Sequence, residues 1–211
     1  DSLRALLQER VGSWDSPELP DFGGPLVSSG AVGKSQQEFA DLLGVRRGWY
    51  GVNGATGLLQ APLLSVSRPG EAVLMPRNIH RSIIQACVLG GLTPVLFDLP
   101  FMADRGHYAP PDESWLLKVL DKLVEKGEIV SSAFLVHPTY HGYSNPLRPL
   151  VNQLHCRGLP VLVDEAHGTH FASGVDKKLP ESALFSGADL IVHSLHKSSV
   201  GLVQTAVLWL Q

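Results

Sequence analysis

The chain has 211 residues, a formal net charge of −3 and 44 % hydrophobic residues. This length and apolar content are sufficient for one large globular domain with a substantial core. The charge argues against nucleic-acid binding, which requires a basic excess, and no apolar run approaches the roughly 18 residues of a membrane span.

The cysteine content and the N-terminus predict a cytoplasmic protein. Only Cys87 and Cys156 are present, and we interpret them as two reduced thiols rather than a disulfide framework. The first residues lack the pattern of a signal peptide.

The first third of the chain predicts helices separated by irregular segments. Apolar residues have helical spacing in three segments: residues 2–11, 34–45 and 56–67. Gly44 should end the second of these helices. Residues 14–33, rich in Pro, Gly and Ser, predict an irregular segment, and "WYGVNGATG" at 49–57 predicts a glycine-rich turn.

From residue 72 onwards, short apolar strands alternate with helices. Strands are predicted at 72–76, 93–98, 129–138, 159–167, 188–197 and 204–210, and helices at 80–91, 113–127 and 146–157. This alternation predicts an α/β fold, a three-layer α/β/α sandwich with a mostly parallel sheet. Ligands of such sheets bind at the carboxyl ends of the strands. The candidate site residues are therefore those that follow strands: Asn78, His80, Asp98, His137 to Tyr140, Asp164 to His170, and Ser194 to Lys197.

The letters DEAH at 164–167 are also a nucleotide-triphosphatase signature of many helicases. Such an enzyme needs the loop G-x-x-x-x-G-K-[ST] between a strand and a helix. The segment "SSGAVGKS" at 28–35 matches at Gly33, Lys34 and Ser35, but Ser28 replaces the first glycine. The preceding segment is a poor buried strand, so a P-loop triphosphatase is a remote alternative.

Asp164, His167 and His170 are also residue types that bind metals. No third histidine or cysteine stands at ligand spacing. We therefore expect no metal site.

A binding site for pyridoxal phosphate would account for more of the residues at these strand ends than either a triphosphatase or a metal site. The cofactor's aldehyde needs a lysine amine to form a Schiff base, and Lys197 is the candidate. Its pyridine nitrogen stays protonated beside a buried carboxylate, for which Asp164 is the candidate. The imidazole of His80 is placed to stack on the ring.

The phosphate of this cofactor suits the N-terminus of a helix, where backbone N–H groups and the helix dipole attract an anion. The glycine-rich turn at 53–57 opens a predicted helix, so Gly54, Ala55 and Thr56 could supply these groups. Ser194 and His196, which flank Lys197, could add a hydroxyl and a ring N–H.

Together these residues resemble the major domain of the Orn/Lys/Arg decarboxylase family, the bacterial-type group with the aspartate aminotransferase fold (fold type I). The resemblance is carried by seven motifs in the family's order. They are "ELP" (18–20), "VNGATG" (52–57), "PRNIHRSI" (76–83), "HPTYHG" (137–142), "VDEAHGTHF" (163–171), "SLHK" (194–197) and "VQTA" (203–206).

The resemblance implies a role for each matching residue. Lys197 would form the Schiff base, Asp164 would pair with the pyridine nitrogen and His80 would stack on the ring. His167 would lie beside the cofactor near Asp164, and Thr139 would approach the ring hydroxyl. The phosphate would be held by Ala55, Thr56, Ser194 and His196.

The resemblance also implies a function. We expect pyridoxal-phosphate-dependent decarboxylation of ornithine, lysine or arginine to a polyamine or polyamine precursor, in a homodimer or higher homo-oligomer that binds neither nucleic acid nor membranes. Other fold-type-I activities, such as an aminotransferase or an aldolase-like enzyme, and an inactive truncated homologue stay open as alternatives.

The chain is short for this family. It lacks the family's small C-terminal domain and an N-terminal PGH-type motif, so we expect a piece truncated at both ends. Residues 1–48 are expected to form N-terminal helices and an irregular segment, and residues 49–211 the pyridoxal-phosphate-binding major domain.

Overall fold

The computed structural model describes residue 8, residues 19–24 and 26–174, residue 176, and residues 178–211. Its helices are α1 (Gly30–Leu43), α2 (Gly54–Val66), α3 (Arg81–Gly90), α4 (Glu113–Lys126), α5 (Leu147–His155) and α6 (Leu195–Ser198). Its strands are β1 (Arg47–Gly51), β2 (Ala72–Pro76), β3 (Thr93–Phe97), β4 (Phe101–Met102), β5 (His107–Tyr108), β6 (Ser132–Val136), β7 (Val161–Asp164), β8 (Leu190–Ser194) and β9 (Ala206–Leu210).

Seven of these strands form one sheet in the order β1-β9-β8-β7-β6-β2-β3. Strand β9 is antiparallel to both of its neighbours, β1 and β8. The pairs from β8 to β3 are parallel, and β4 and β5 form a separate two-stranded ladder. The predicted mostly parallel α/β fold is confirmed.

The sheet separates two hydrophobic cores, because successive side chains of a strand point to opposite faces. Helices α2 and α3 cover one face, which we call the front, and pack on residues such as Phe134 and Leu162. Helices α1, α4 and α5 cover the other face, the rear, and pack on residues such as Leu135 and Val163. This gives the predicted three layers.

Local signals explain where several helices begin and end. Asp112 caps α4 by accepting the backbone N–H of Trp115 at 2.8 Å, and Gly127 ends this helix in the left-handed conformation. Gly44, in the same conformation, ends α1 as expected. Helix α1 begins four residues earlier than residue 34, the predicted start.

The structure corrects several predicted boundaries. The strands predicted at 129–138, 159–167 and 204–210 are shorter and span Ser132–Val136, Val161–Asp164 and Ala206–Leu210. The predicted turn at 49–57 contains the end of β1, whose residues pair with β9 at one edge of the sheet. The strand predicted to run to Lys197 ends at Ser194, and Lys197 lies on the single turn of α6.

Other expectations are not tested by the described residues. The predicted helix at 2–11 falls almost wholly outside them. The predicted division at residues 48/49 falls within β1 and stays a prediction.

Among the helices of the described part of the chain, none has both the length and the apolar character needed to cross a membrane.

Candidate active site

A cleft of about 650 Å³ opens at the carboxyl ends of the parallel strands, beside the N-terminus of α2. Every residue that was given a role in binding the cofactor, except Thr139, lines it: Gly54, Ala55, Thr56, His80, Asp164, His167, Ser194, His196 and Lys197. Of the other candidates that follow strands, Asp98, His137, Glu165 and His170 do not line it. Thr139 is buried, and its hydroxyl accepts the backbone N–H of Tyr143 at 3.1 Å. The fold therefore brings residues from distant parts of the sequence to one place.

Asp164 is the last residue of β7 and is buried in the cleft, with 8 % of its surface exposed. One carboxylate oxygen, Oδ1, accepts the backbone N–H of Ala166 at 3.0 Å. Burial raises the pKa of Asp164, and this effect outweighs the Ala166 hydrogen bond and the nearby positive groups of Lys197 and His80, which lower it. Within the described residues, no lysine or arginine forms an ion pair with Asp164, so a cation in the cleft would stabilise its ionised form.

Lys197 and His167 form a close pair across the cleft. Lys197 Nζ lies 3.3 Å from His167 Nε2. Burial holds the pKa of His167 below its ordinary value, and the positive charge of Lys197, together with that of His80 whenever its ring is protonated, lowers it further. His167 is therefore neutral near pH 7, and its Nε2 can accept a hydrogen bond from the lysine amine.

His80 is held at the N-terminus of α3, where it serves as the N-cap. Its Nδ1 accepts the backbone N–H of Ser82 at 3.2 Å and lies 2.8 Å from the Ser82 hydroxyl. Because Nδ1 is an acceptor, the ring proton of neutral His80 sits on Nε2. The cap fixes the position of the imidazole at the edge of the cleft.

The N-terminus of α2 opens on the same cleft without a side-chain cap. Asn53 occupies the N-cap position but makes no capping hydrogen bond. Gly54 has φ = +67°, a conformation that favours glycine, and its N–H donates to Gln204 O at 2.8 Å. The next N–H groups, of Ala55 and Thr56, have no acceptor within the helix and suit an anion.

Ser194 and His196 complete this end of the cleft. The Ser194 hydroxyl, at the end of β8, lies 3.4 Å from His196 Nδ1. The same ring nitrogen lies 3.4 Å from Thr205 O. Both side chains are thus placed beside the loop that contacts the start of α2.

The cleft also contains residues to which the sequence analysis assigned no role in cofactor binding. These are chiefly Asn53, Asn78, Arg81, Tyr140 and Gln204. Asn78 and Tyr140 were candidates because they follow strands, but a position after a strand does not show what a side chain would bind. Arg81 and Gln204 belong to quoted motifs and could have been found there.

The structure does not favour the triphosphatase alternative. Lys34 and Ser35 lie inside α1, not in a loop between a strand and a helix, and Ser35 Oγ lies 2.9 Å from Tyr50 Oη. The described residues include no group of three or more His, Cys, Asp or Glu side chains placed to hold a metal ion.

The model of the Orn/Lys/Arg decarboxylase major domain matches residues 15–211. The chain belongs to this family. Among curated relatives, the arginine decarboxylase of Halalkalibacterium halodurans is 32 % identical over 181 residues, which cover 85 % of this chain and 35 % of the relative. The uncharacterized protein YaaO of Bacillus subtilis is 36 % identical over 170 residues, covering 81 % and 34 %.

Solved structures show the same fold. The constitutive lysine decarboxylase of Escherichia coli matches with a TM-score of 0.74 at 17 % identity, covering 90 % of this chain and 28 % of that one. The pyridoxal-5'-phosphate-dependent protein YhfS of E. coli matches with a TM-score of 0.66 at 19 % identity, covering 98 % and 51 %. The chain thus spans about a third of the length of the curated relatives named above.

Proposed function

We propose that this member of the Orn/Lys/Arg decarboxylase family binds pyridoxal phosphate and takes part in decarboxylating a basic amino acid. One observation carries the proposal: the Lys197 amine, the buried Asp164 carboxylate and the His80 imidazole line one cleft beside the uncapped N-terminus of α2. The family match and the arginine decarboxylases among the relatives support it.

The residues present fit this cofactor. Asp164 is a buried carboxylate without a lysine or arginine ion-pair partner among the described residues, so it can hold a protonated ring nitrogen. The free N–H groups of Ala55 and Thr56, with Ser194 and His196 nearby, suit a phosphate.

The remaining two residues would act on the ring and the aldehyde. Lys197 supplies the amine that binds the aldehyde carbon, and His80 would cover one face of the ring. Pyridoxal phosphate, when bound, supplies an electron sink for the electron pair released at the substrate Cα.

The protein's own residues would control protons. His167 Nε2, kept neutral by burial, lies 3.3 Å from Lys197 Nζ and would accept a hydrogen bond that orients the lysine amine in the cleft. Lys197 or His167 would supply a proton to the substrate carbon. Asp164 would hold the proton of the ring nitrogen.

Arginine is the first substrate to test, followed by lysine and ornithine, because several of the curated relatives are named arginine decarboxylases. The product would be an amine that serves as a polyamine or polyamine precursor. We extend the proposal to a cytoplasmic homo-oligomer, as the family resemblance implies. Aminotransferase activity on the same fold would instead yield a keto acid, so product analysis separates the two.

The decisive experiment is cofactor loading followed by borohydride reduction. The protein should gain a visible absorption band with pyridoxal phosphate, and mass spectrometry should find the reduced adduct on Lys197. Lys197→Ala should lose the adduct, whereas Lys118→Ala, which removes a lysine of α4 outside the cleft, should keep it. An adduct spread over surface lysines, or none at all, would contradict the proposal.

A further inference from the structure

A second polar cluster lies directly behind the cleft, centred on Glu165. Asp164 and Glu165 are consecutive, so their side chains point to opposite faces of the sheet. Asp164 faces the front cleft, whereas Glu165 enters the rear layer, where it is fully buried with 0 % of its surface exposed. None of the cleft chemistry described above uses Glu165.

Three hydrogen bonds hold the Glu165 carboxylate. His193 Nε2 lies 2.6 Å from Oε2, and the Ser182 hydroxyl donates to the same oxygen at 2.6 Å. The backbone N–H of Ala183 donates to Oε1 at 2.8 Å. A buried carboxylate with three donors is stabilised as an anion, because each hydrogen bond replaces one lost from water.

The tautomer of His193 follows from its other partner. The indole Nε1–H of Trp209 can only donate, and it donates to His193 Nδ1 at 3.0 Å. Nδ1 therefore carries no proton, because its lone pair accepts this hydrogen bond. The proton of the neutral ring sits on Nε2, where it points at Glu165. A single chain of hydrogen bonds thus runs from β9 through β8 to the residue after β7.

Among the described residues, the groups around Glu165 do not neutralise its carboxylate with a full positive charge. His137, at the end of β6, has Nε2 3.9 Å from Glu165 Oε1 and 3.1 Å from Glu181 O. Burial lowers the pKa of His137, so this ring is neutral. Gly168 is packed so closely that a Cβ there would lie 2.8 Å from Glu165 Cγ. The carboxylate is fixed, and within the described residues no lysine or arginine forms an ion pair with it.

We propose that Glu165 is a positioning residue for the cleft: its fixed, buried negative charge favours the cationic state of the bound cofactor, and its hydrogen bonds hold Asp164 and Ser194 in place. The inference rests on the proposed function, because it assumes that pyridoxal phosphate occupies the cleft.

Two connections carry this effect from the rear to the front. The first connection is the backbone. Glu165 directly follows Asp164, and His193 directly precedes Ser194, so fixing the rear side chains also fixes the two cleft residues. The second connection is electrostatic, since charges interact strongly where water is excluded. The groups that face Asp164 in the cleft are Lys197, His80 and His167, and Glu165 adds a negative charge from behind.

The test is a pH titration of the visible absorption of the pyridoxal-phosphate-loaded protein. Glu165→Gln keeps the shape of the side chain but removes its charge, so the cationic chromophore loses stabilisation. We expect its pH midpoint to fall by about 0.5 to 1 unit. Glu181→Gln, which removes a half-exposed carboxylate paired with Arg148, should leave the midpoint unchanged.

Glu165→Asp separates charge from shape, because it retains the charge but is too short to keep all three hydrogen bonds. It should destabilise the fold and leave the midpoint close to that of the wild type. A midpoint unchanged in loaded Glu165→Gln, or lowered equally in Glu165→Asp, would overturn the inference while leaving the proposed function intact. Failure of the wild type to load would overturn both.

A measurement on the ligand-free wild type covers the case in which Glu165→Gln does not fold. Nitrogen-15 NMR of the histidine rings should show the ring proton of His193 on Nε2. A proton on Nδ1 of His193 would contradict the hydrogen-bond chain on which the inference depends.

Discussion

Asp164 and Glu165 are neighbouring carboxylates with opposite surroundings. Asp164 has one backbone hydrogen bond and faces an open cleft, whereas Glu165 has three donors and faces a packed core. The difference arises from the alternation of side chains along an extended strand. An acidic pair in a sequence can therefore divide into one group available for a ligand and one fixed by the protein.

The buried Asp164 should make the ligand-free protein less stable as pH rises. Its pKa is raised in the folded state, mainly by burial, so the folded state binds more protons than the unfolded chain over the interval between the two pKa values. The contribution of Asp164 to the free energy of unfolding therefore decreases with pH across that interval, by about 1.4 kcal/mol for each unit of pKa difference. His137 and His167, whose pKa values are lowered by burial, contribute in the opposite direction.

Asp164→Asn should abolish this decrease, because the amide does not titrate. Urea unfolding of the ligand-free protein between about pH 4 and pH 8 measures the effect. Asp98→Asn, which changes an exposed carboxylate at the end of β3, is the control and should follow the wild type. Equal pH dependence in wild type and Asp164→Asn would show that burial does not control this carboxyl group.

At the scale of elements, α2 and α6 define the two sides of the cleft. Helix α2 presents its first turn because Gly54 adopts a positive φ and no side chain caps the N-terminus. Helix α6 is a single turn that lifts Lys197 away from the end of β8. The sequence predicted the helix at α2 closely, but it did not reveal α6, since a run of four residues has no periodicity to read.

A negative charge in the first turn of α2 should have opposite effects on helix stability and on anion binding. Thr56→Glu places a carboxylate where the dipole favours it, so the free energy of unfolding should stay equal or increase by about 0.3–1 kcal/mol. The same charge repels a phosphate, so we expect the affinity for pyridoxal phosphate to fall by at least about tenfold, a cost of about 1.4 kcal/mol.

Thr56→Gln is the matched neutral control and should retain most of the affinity. Fluorescence titration with pyridoxal phosphate measures both variants, and chemical unfolding checks their stability. If Thr56→Glu and Thr56→Gln bind with equal affinity, the phosphate does not lie at the start of α2.

At the scale of the whole molecule, one sheet carries a core on each face. Helix α4 contributes to the rear core through Leu116 and Leu120, both buried, while Val124 on the same helix is 78 % exposed. The rear layer contains Glu165 and His193 as well as apolar residues. The rear layer therefore contributes to the stability of the fold and also contains the side chains that we propose hold the cleft residues in place.

Leu120→Ala should lower the free energy of unfolding by about 2–5 kcal/mol, because it opens a cavity in the rear core. Val124→Ala should change it by no more than about 0.5 kcal/mol, since this side chain lies in solvent. Urea unfolding of the two variants measures the difference. Similar losses for both would mean that α4 does not pack on the sheet through Leu120.

The amino-acid sequence alone was enough to predict the α/β class, most helices and strands, and most of the residues that gather in the cleft. It could do so because strand and helix periodicities differ and because strand ends meet at one edge of a parallel sheet. The family motifs added the roles of Lys197, Asp164 and His80, which remain proposals.

Three features became visible only in the folded chain: Thr139 lies outside the cleft, β1 joins the sheet beside β9, and Glu165 turns away from Asp164 towards His193 and Trp209. Each of these depends on which residues from distant parts of the chain become neighbours. Strand register and side-chain direction fix such neighbours, and both arise from packing across the whole sheet rather than from any local stretch of sequence.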